Sequence, residues 1–563
     1  MVDCLAAGAD AGTSRPDLIC LGGVVQTMTD ADTVTAFAVR DGRFVAVGSD
    51  TEIAALAGPG TARVDLAGRT VLPGFIETHL HPHMSGNAEA DVDAGVTACP
   101  DIDALVAALT VRAAGAVPGH AVLAAGFDDT LVADDRGLTV ADLDRADTTR
   151  PIFVRHLSGH AVYVNSFVLR AKGIDRDTPD PEGGVIVRDA NGAPTGEFRE
   201  LPAMRLVVDP DEAMPGADDL DASLRRSLAR MAAVGVTSFH DMFVTPVMID
   251  SYRRLQAAGE LALRGRLYVG FGALDGFDPA TATGESSDDT LTVGGVKLIS
   301  DGSIQLHTGA LSEPYHDLDG CHCGEMAIPS GDLDEMVAQC HAAGLQVAVH
   351  TNGDHAIDLA LDAIEKAVAA TGAGLPGGLQ HRLEHVQTLR EDQIRRMSEL
   401  GVAASVFVNH VYYWGDRHRD RFLGPDRGSR ISPLASITAA GLRFALHCDS
   451  PVTPVHPLFT IGTAVNRVTR SGDVLGPEQR IDAATAVSGY TTAAARLVGE
   501  DDVKGAIAPG LFADFVVLDG DPLSCEPSAI GDVAVLTTVV GGRVVFSAGS
   551  VAPEFASAEG EVR

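Results

Sequence analysis

The sequence predicts an α/β fold: a (β/α)8 barrel, a small β-sandwich formed by both chain ends, and a large insertion after the first barrel strand. Three observations predict it. Strand-like and helix-like stretches alternate through the middle of the chain, the pattern of parallel βα units. Both ends are rich in short strands and turns instead. Metal-binding residue types recur at the ends of the middle strands, and a barrel gathers its site at that face. At 563 residues the chain is also too long for one compact core.

The elements follow in order. Residues 1–70 form the N-terminal part of the sandwich, and Asp41-Gly42 between TAFAVR and RFVAVG is a hairpin signal. The barrel spans 71–484. Its eight strands are read as 71–79, 235–242, 266–273, 295–300, 345–350, 381–385, 402–407 and 443–448, with helices such as 333–343 and 356–370 between them. The insertion occupies 84–235 and carries its own runs, HAVLAAGF and RPIFVRHL, and a glycine-rich hairpin, GGVIVRDANGAPTGEF. Together with the loop at 301–325 it is expected to roof the barrel mouth. Residues 485–552 complete the sandwich, and the tail 553–563 is expected to be disordered.

Composition narrows the function. An apolar content of 45% with mixed charge describes a folded, soluble protein. A formal charge of -35 repels phosphates, which excludes nucleic acid and anionic membranes as partners. No apolar run approaches the roughly 18 residues of a membrane helix. The start lacks a basic segment followed by an apolar one, so no secretory signal is read. Eight scattered cysteines fit reduced thiols in a cytoplasm. Cys321-His322-Cys323 has no second pair at zinc-finger spacing and reads as loop. A homodimer acting on a small molecule is the expected assembly.

Five segments carry chemistry. His79 and His81, two apart in PGFIETHLHPH, face one side of a strand, and zinc needs imidazoles that converge. Pro82 is expected to end that strand and turn His83 away. His350 and His385 each close an apolar run, and Asp449 follows FALHC at a strand exit. The alternative for a lone histidine is a hydrogen-bonded core residue, but five such positions in barrel order are not independent. Lys297 lies in the fifth segment. Only Lys172, Lys297, Lys366 and Lys504 occur among 42 lysines and arginines, and Lys297 stands in an apolar strand, GGVKLIS. A neutral lysine amine can take up carbon dioxide to become a carboxylate-like bridging ligand, which arginine cannot do. A strand-end lysine reaching for water is the plainer alternative.

With these residues in place, the chain resembles the amidohydrolase superfamily, in particular its family-3, YtcJ-like branch and the N-substituted formamide deformylases. The resemblance covers about residues 18–550. It rests on LPGFIETHLH, LSGHAVYVNS, GGVIVRDANGAPTGEFRE, GGVKLISDGS, QVAVHTNGDHAIDLALDA, HRLEHVQ, LHCDSPVTPVHPL and GLFADFVVLDGDPL. The resemblance implies a TIM-like metallohydrolase barrel. It implies that His79 and His81 hold the deeper of two metals, that His350 and His385 hold the second, and that carboxylated Lys297 bridges them. Asp449 is implied as ligand and proton shuttle. Zinc is the expected ion, one or two per chain, with manganese or cobalt as substitutes. Two positions depart from the family's habit: Glu77, where aspartate is more frequent, and His355, where arginine often follows Gly-Asp. His160, Glu200, His240, His355 and Trp414 are further candidates for contacts to substrate or to the ligands, as are His156, His307 and Tyr315. The expected reaction is hydrolysis of a non-peptide C–N bond, an amide such as an N-substituted formamide. The alternatives are a cyclic amide, carbamate or ester at the same site, and an inactive barrel with a regulatory role.

Overall fold

In the computed structural model, residues 15–29, 34–88, 91–116, 120–208, 217–273, 289–318 and 320–549 are described; the tail at 553–563 lies outside them. The N-terminal strands are β1 (Leu18–Leu21), β2 (Val24–Val25), β3 (Ala36–Arg40), β4 (Arg43–Gly48), β5 (Ala62–Asp65) and β6 (Thr70–Pro73). The first barrel strand is β7 (Phe75–Leu80). The insertion supplies β8 (Val92–Asp93), β9 (Val122–Phe127), β10 (Ile152–His156), β11 (Ala161–Val164), β12 (Val185–Arg188) and β13 (Pro194–Arg199). The barrel resumes with β14 (Val236–Val244), β15 (Arg264–Gly270), β16 (Leu291–Ile299), β17 (Gln346–Thr351), β18 (Arg382–His385), β19 (Ala403–Val406) and β20 (Phe444–Leu446). β21 (Phe515–Leu518), β22 (Val535–Val540) and β23 (Arg543–Ser547) end the order.

Eight parallel strands, β7 and β14 to β20, form a nearly closed barrel. They fall on the eight runs read from sequence. Helices cover the outer face, so both sides of each strand are dry and the strands read as continuous apolar runs. In β17 every residue of QVAVHT is buried. Helices Ser330–Ala342 and Asp354–Thr371 occupy the expected helical stretches. No β ladder joins β20 to β7. That seam is stitched beyond the strand ends by the Asp449 amide on the His79 carbonyl (3.0 Å) and the His81 amide on the Ser450 carbonyl (2.8 Å).

Both chain ends build the neighbouring sheets. β4-β3-β1-β5 form one, and β2-β6-β21-β22-β23 the other, with β6 antiparallel to β21. Phe37 and Phe515 pack edge to face between them at 5.0 Å. The β3–β4 hairpin turns at Asp41 and Gly42, both at positive φ, as a tight two-residue turn of this hand requires. One expectation fails here. The strand read as 71–79 is two strands, because the chain leaves the sandwich sheet at Gly74 and enters the barrel. A Cβ at Gly74 would stand 2.2 Å from the Thr237 side chain, so only glycine lets β7 approach β14 this closely.

The insertion folds on its own six-stranded sheet, β12-β13-β11-β10-β9-β8, with its own apolar clusters. β12 and β13 are the predicted hairpin. Among the described residues no helix is long and apolar enough to cross a membrane.

Candidate metal centre

The site is built from strand ends at one mouth of the barrel. His79, Lys297, His350 and His385 stand at or next to the C-terminal ends of β7, β16, β17 and β18. His81 and Asp449 lie just beyond β7 and β20. Strand register levels them: Ile299 pairs with His350, and Thr351 with His385. Pro82 opens a helix, Pro82–Ala88, which carries His83 away to Asp241 (3.8 Å) and Tyr252.

The six residues converge. His79 Nε2 is 3.4 Å from Lys297 Nζ and 3.4 Å from Asp449 Oδ1, and His81 Nε2 is 3.3 Å from the same oxygen. His385 Nδ1 lies 3.9 Å from Asp449 Oδ2, and the His350 and His385 rings are 4.6 Å apart. The Oδ1 atom of Asp449 is buried and accepts no hydrogen bond. An orphaned carboxylate oxygen facing two imidazole nitrogens is costly unless a cation or proton joins them. His79, His81 and Asp449 have ligand atoms within 4.8 Å of one another, so the residues present fit a divalent ion.

Local electrostatics favour ligation. Burial, reinforced by Lys297 and neighbouring imidazoles, drives His79, His350 and His385 well below the usual histidine pKa, so they stay neutral with lone pairs available. Burial also brings Lys297 down to about 8, although Glu384 and Asp449 pull the other way. His385 and Asp449 hold φ of 67° and 55°, left-handed values that cost a non-glycine residue about 1–3 kcal/mol.

Three of the histidines are oriented from behind. His79 Nδ1 bonds Glu384 Oε2 at 2.6 Å, and Arg382 grips that carboxylate with Nε and Nη2. His350 Nε2 donates to the Gly302 carbonyl at 3.0 Å. Asp301 accepts the amides of Ala310, Asn352 and Gly353, while burial raises its pKa to about 7. His447 bonds His385 Nδ1 at 3.1 Å and stacks on His79. Sequence reasoning missed Glu384, Arg382, Asp301 and His447. A signal existed for the first two: ionisable residues at i and i+2 inside a short, fully buried strand.

A cavity of about 970 Å³ opens over this floor. The insertion supplies much of its wall, including Asp93, Leu131, His156, His160 and Leu201. The 301–325 loop, expected to share the roof, contributes none of the described lining residues. His160 is held through Nδ1 by Glu200 Oε2 at 2.8 Å, and its ring is 5.0 Å from that of His350. Burial pulls the His160 pKa down, but the Glu200 carboxylate outweighs it and the net shift is upward. Glu200 itself sits at φ 65°.

Three expected contacts do not reach the cavity. His355 is exposed on helix Asp354–Thr371. Trp414 is buried under the mouth and donates Nε1 to Asp128 of the insertion at 2.9 Å; its neighbour Tyr413 lines the cavity instead. His240 lies inside the barrel, 3.2 Å from Arg382 Nη1. His307 and Tyr315 pack on each other at 4.9 Å. The wall also carries arginines that the sequence reading did not foresee. Arg155 is paired with Asp91 at 2.5 Å, and Arg230 and Arg470 are exposed.

The sequence profile of the amidohydrolase family matches residues 62–546. The chain is 30% identical over 541 residues to the Bacillus subtilis protein named "Putative amidohydrolase YtcJ", covering 93% of this chain and 98% of that one. It is 29% identical over 542 residues to the N-substituted formamide deformylase of Arthrobacter pascens, covering 94% and 98%. The fold superposes on the crystal structure of an uncharacterized metal-dependent hydrolase from Pyrococcus horikoshii with a TM-score of 0.72 and 25% identity, over 91% of this chain and 99% of that one.

Proposed function

The chain belongs to the amidohydrolase family, and from that premise we propose that it hydrolyses a non-peptide amide C–N bond in a small, largely uncharged substrate, N-substituted formamides being the first class to test. The observation that carries this reading is the orphaned Asp449 Oδ1 facing His79 and His81, with Lys297 against His79 and His385 near the other carboxylate oxygen. His79 and His81 would hold one divalent ion, His350 and His385 a second, with Lys297 as a bridging carbamate and Asp449 as a further ligand. Such ions, zinc by preference, lower the pKa of a water to about 7 and polarise the carbonyl.

The remaining work falls to the chain's own groups. Asp449 takes a proton from the attacking water and returns it to the departing nitrogen, base first and acid second. With a pKa of about 8, roughly a tenth of Lys297 is neutral at pH 7. Its nitrogen lone pair can then bond the carbon of carbon dioxide, and the proton released leaves a carbamate. His160, oriented by Glu200, keeps Nε2 for the substrate's oxygen. Leu131, Leu201, Met204, Phe243, Met248 and Tyr413 offer an apolar wall for an alkyl or aryl group. The cysteines among the described residues are free thiols, in keeping with a cytoplasmic enzyme.

A substrate panel tests this: N-benzyl and N-alkyl formamides, longer amides, carbamates, esters and phosphotriesters. Formamides should give the highest kcat/KM. Phosphotriesters or charged dipeptides as best substrates, with formamides inert, would refute the amide assignment.

A further inference from the structure

His447 was singled out by no sequence pattern, yet it is buried at the centre of the site. Its Nε2 is 3.1 Å from His385 Nδ1, and its Nδ1 is 2.8 Å from Ser405 Oγ. Ser405 Oγ is in turn 3.2 Å from Thr78 Oγ1, which is 3.0 Å from the Leu446 carbonyl. All five groups are buried.

The direction of this chain of hydrogen bonds follows from its far end. A carbonyl only accepts, so Thr78 donates to Leu446. Thr78 Oγ1 is then left as an acceptor, and Ser405 donates to it. Ser405 Oγ can therefore only accept from His447, which places the His447 proton on Nδ1. His447 Nε2 is then a lone pair, and His385 must donate to it from Nδ1. The remaining nitrogen of His385, Nε2, keeps its lone pair and is not among the fully buried unpaired atoms, and His385 lines the cavity. The opposite direction would use the Ser405 proton on His447 and leave two hydroxyl oxygens facing each other with no hydrogen between them. It would also place a proton on His385 Nε2, where a cation could not be bound.

We infer that His447 is a positioning residue that fixes the tautomer of His385 and so makes His385 Nε2 a metal ligand. A ligating histidine commonly donates its other N–H to a partner that fixes the ring, and losing such a partner typically weakens metal binding about 10- to 100-fold. Here the three partners differ in kind. His79 has the Glu384 carboxylate, His350 has the Gly302 carbonyl, and His385 has a neutral imidazole whose own orientation depends on Ser405 and Thr78.

The inference rests on the metal-site reading above, and metal affinity separates the two. The experiment is competition between a chromophoric chelator and full-length protein for zinc, with bound ions counted by elemental analysis. His447→Leu should weaken the His350/His385 site about 10- to 100-fold and leave one tighter ion in place, which also reports that the barrel has folded. His447→Gln, whose amide oxygen can accept from His385 and whose NH2 can donate to Ser405, should stay within about threefold of the parent protein. Unchanged affinity in the Leu variant would overturn the inference while leaving the metal site standing. An equal loss in Gln and Leu variants would also overturn it, since His447 would then be a ligand itself. A parent protein that binds no zinc would remove both the site reading and the inference.

Discussion

Strand β18 has a buried histidine at each end, and the two ends behave differently. His381 precedes the strand at the closed end of the barrel, and His385 ends it at the open mouth. They are similarly buried, at 4% and 2% exposure, and burial lowers the pKa of both. Their nitrogens are engaged differently. His381 Nδ1 accepts the Val347 amide, so Nε2 donates to His341 Nδ1 at 3.0 Å. His341 Nε2 then donates to Thr371 Oγ1 and the Ala373 carbonyl. Every ring nitrogen of that pair is engaged within the protein. At the mouth, His385 has one nitrogen engaged and one open to the cavity, beside a carboxylate oxygen without a partner. Burial and a depressed pKa therefore do not distinguish a functional histidine from a structural one. Unused hydrogen-bonding capacity does so when it faces the cavity beside other ligand atoms.

Substitutions at the two ends should separate accordingly. The largest effect is expected at Asp449. Asp449→Asn keeps the shape and removes the base, so kcat should fall by about 10²- to 10⁴-fold with KM changing less. Steady-state kinetics measures this, and a near-normal kcat would move the base role to His160. Lys297→Arg should follow, with a loss of about 10- to 100-fold in both activity and metal affinity, because a guanidinium cannot be carboxylated. Lys297→Ala should regain some activity with a small added carboxylic acid. An active arginine variant would reduce Lys297 to a structural role.

At the closed end the expected effect is on stability. His381 titrates near 6.5 when unfolded, and burial takes it down to about 3 in the fold. The unfolded chain therefore binds more protons between those values, and stability should fall as pH drops from 6.5 toward 3. The slope from this one group is at most about 1.4 kcal/mol per pH unit. His381→Gln should flatten that slope in thermal melts between pH 7 and 5 and leave metal content unchanged. An identical slope would show that the pair does not control acid sensitivity. The smallest effect belongs to His355→Ala. The side chain is exposed and away from the cavity, so kcat/KM should stay within about twofold, the scale of a neutral surface change. A larger loss would bring His355 back into the site.

Much of this was legible in the sequence, and the limits have physical causes. The eight barrel strands could be read because each is buried on both faces, and the six converging residues because they stand at strand ends in barrel order. Contacts between neighbouring strands could not be read that way. Glu384 matters because β7 brings His79 to it, and His447 because β18 and β19 bring His385 and Ser405. Trp414 is an expected substrate contact, but its indole reaches Asp128, and its neighbour Tyr413 lines the cavity instead. His355 followed a ligand in sequence, yet a helix starting at Asp354 directs it to solvent. The break at Gly74 was hidden inside an apolar run that is uniform across two sheets.

The central claim is that open nitrogens at the mouth, and not those at the closed end, hold divalent metal. The most direct test is zinc uptake by chelator-stripped protein, counted by elemental analysis in the parent, His79→Ala and His381→Gln chains. About two ions are expected for the parent and for His381→Gln, and fewer for His79→Ala. Stripped parent protein that takes up no zinc, or that hydrolyses its substrate at full rate without any, would contradict it.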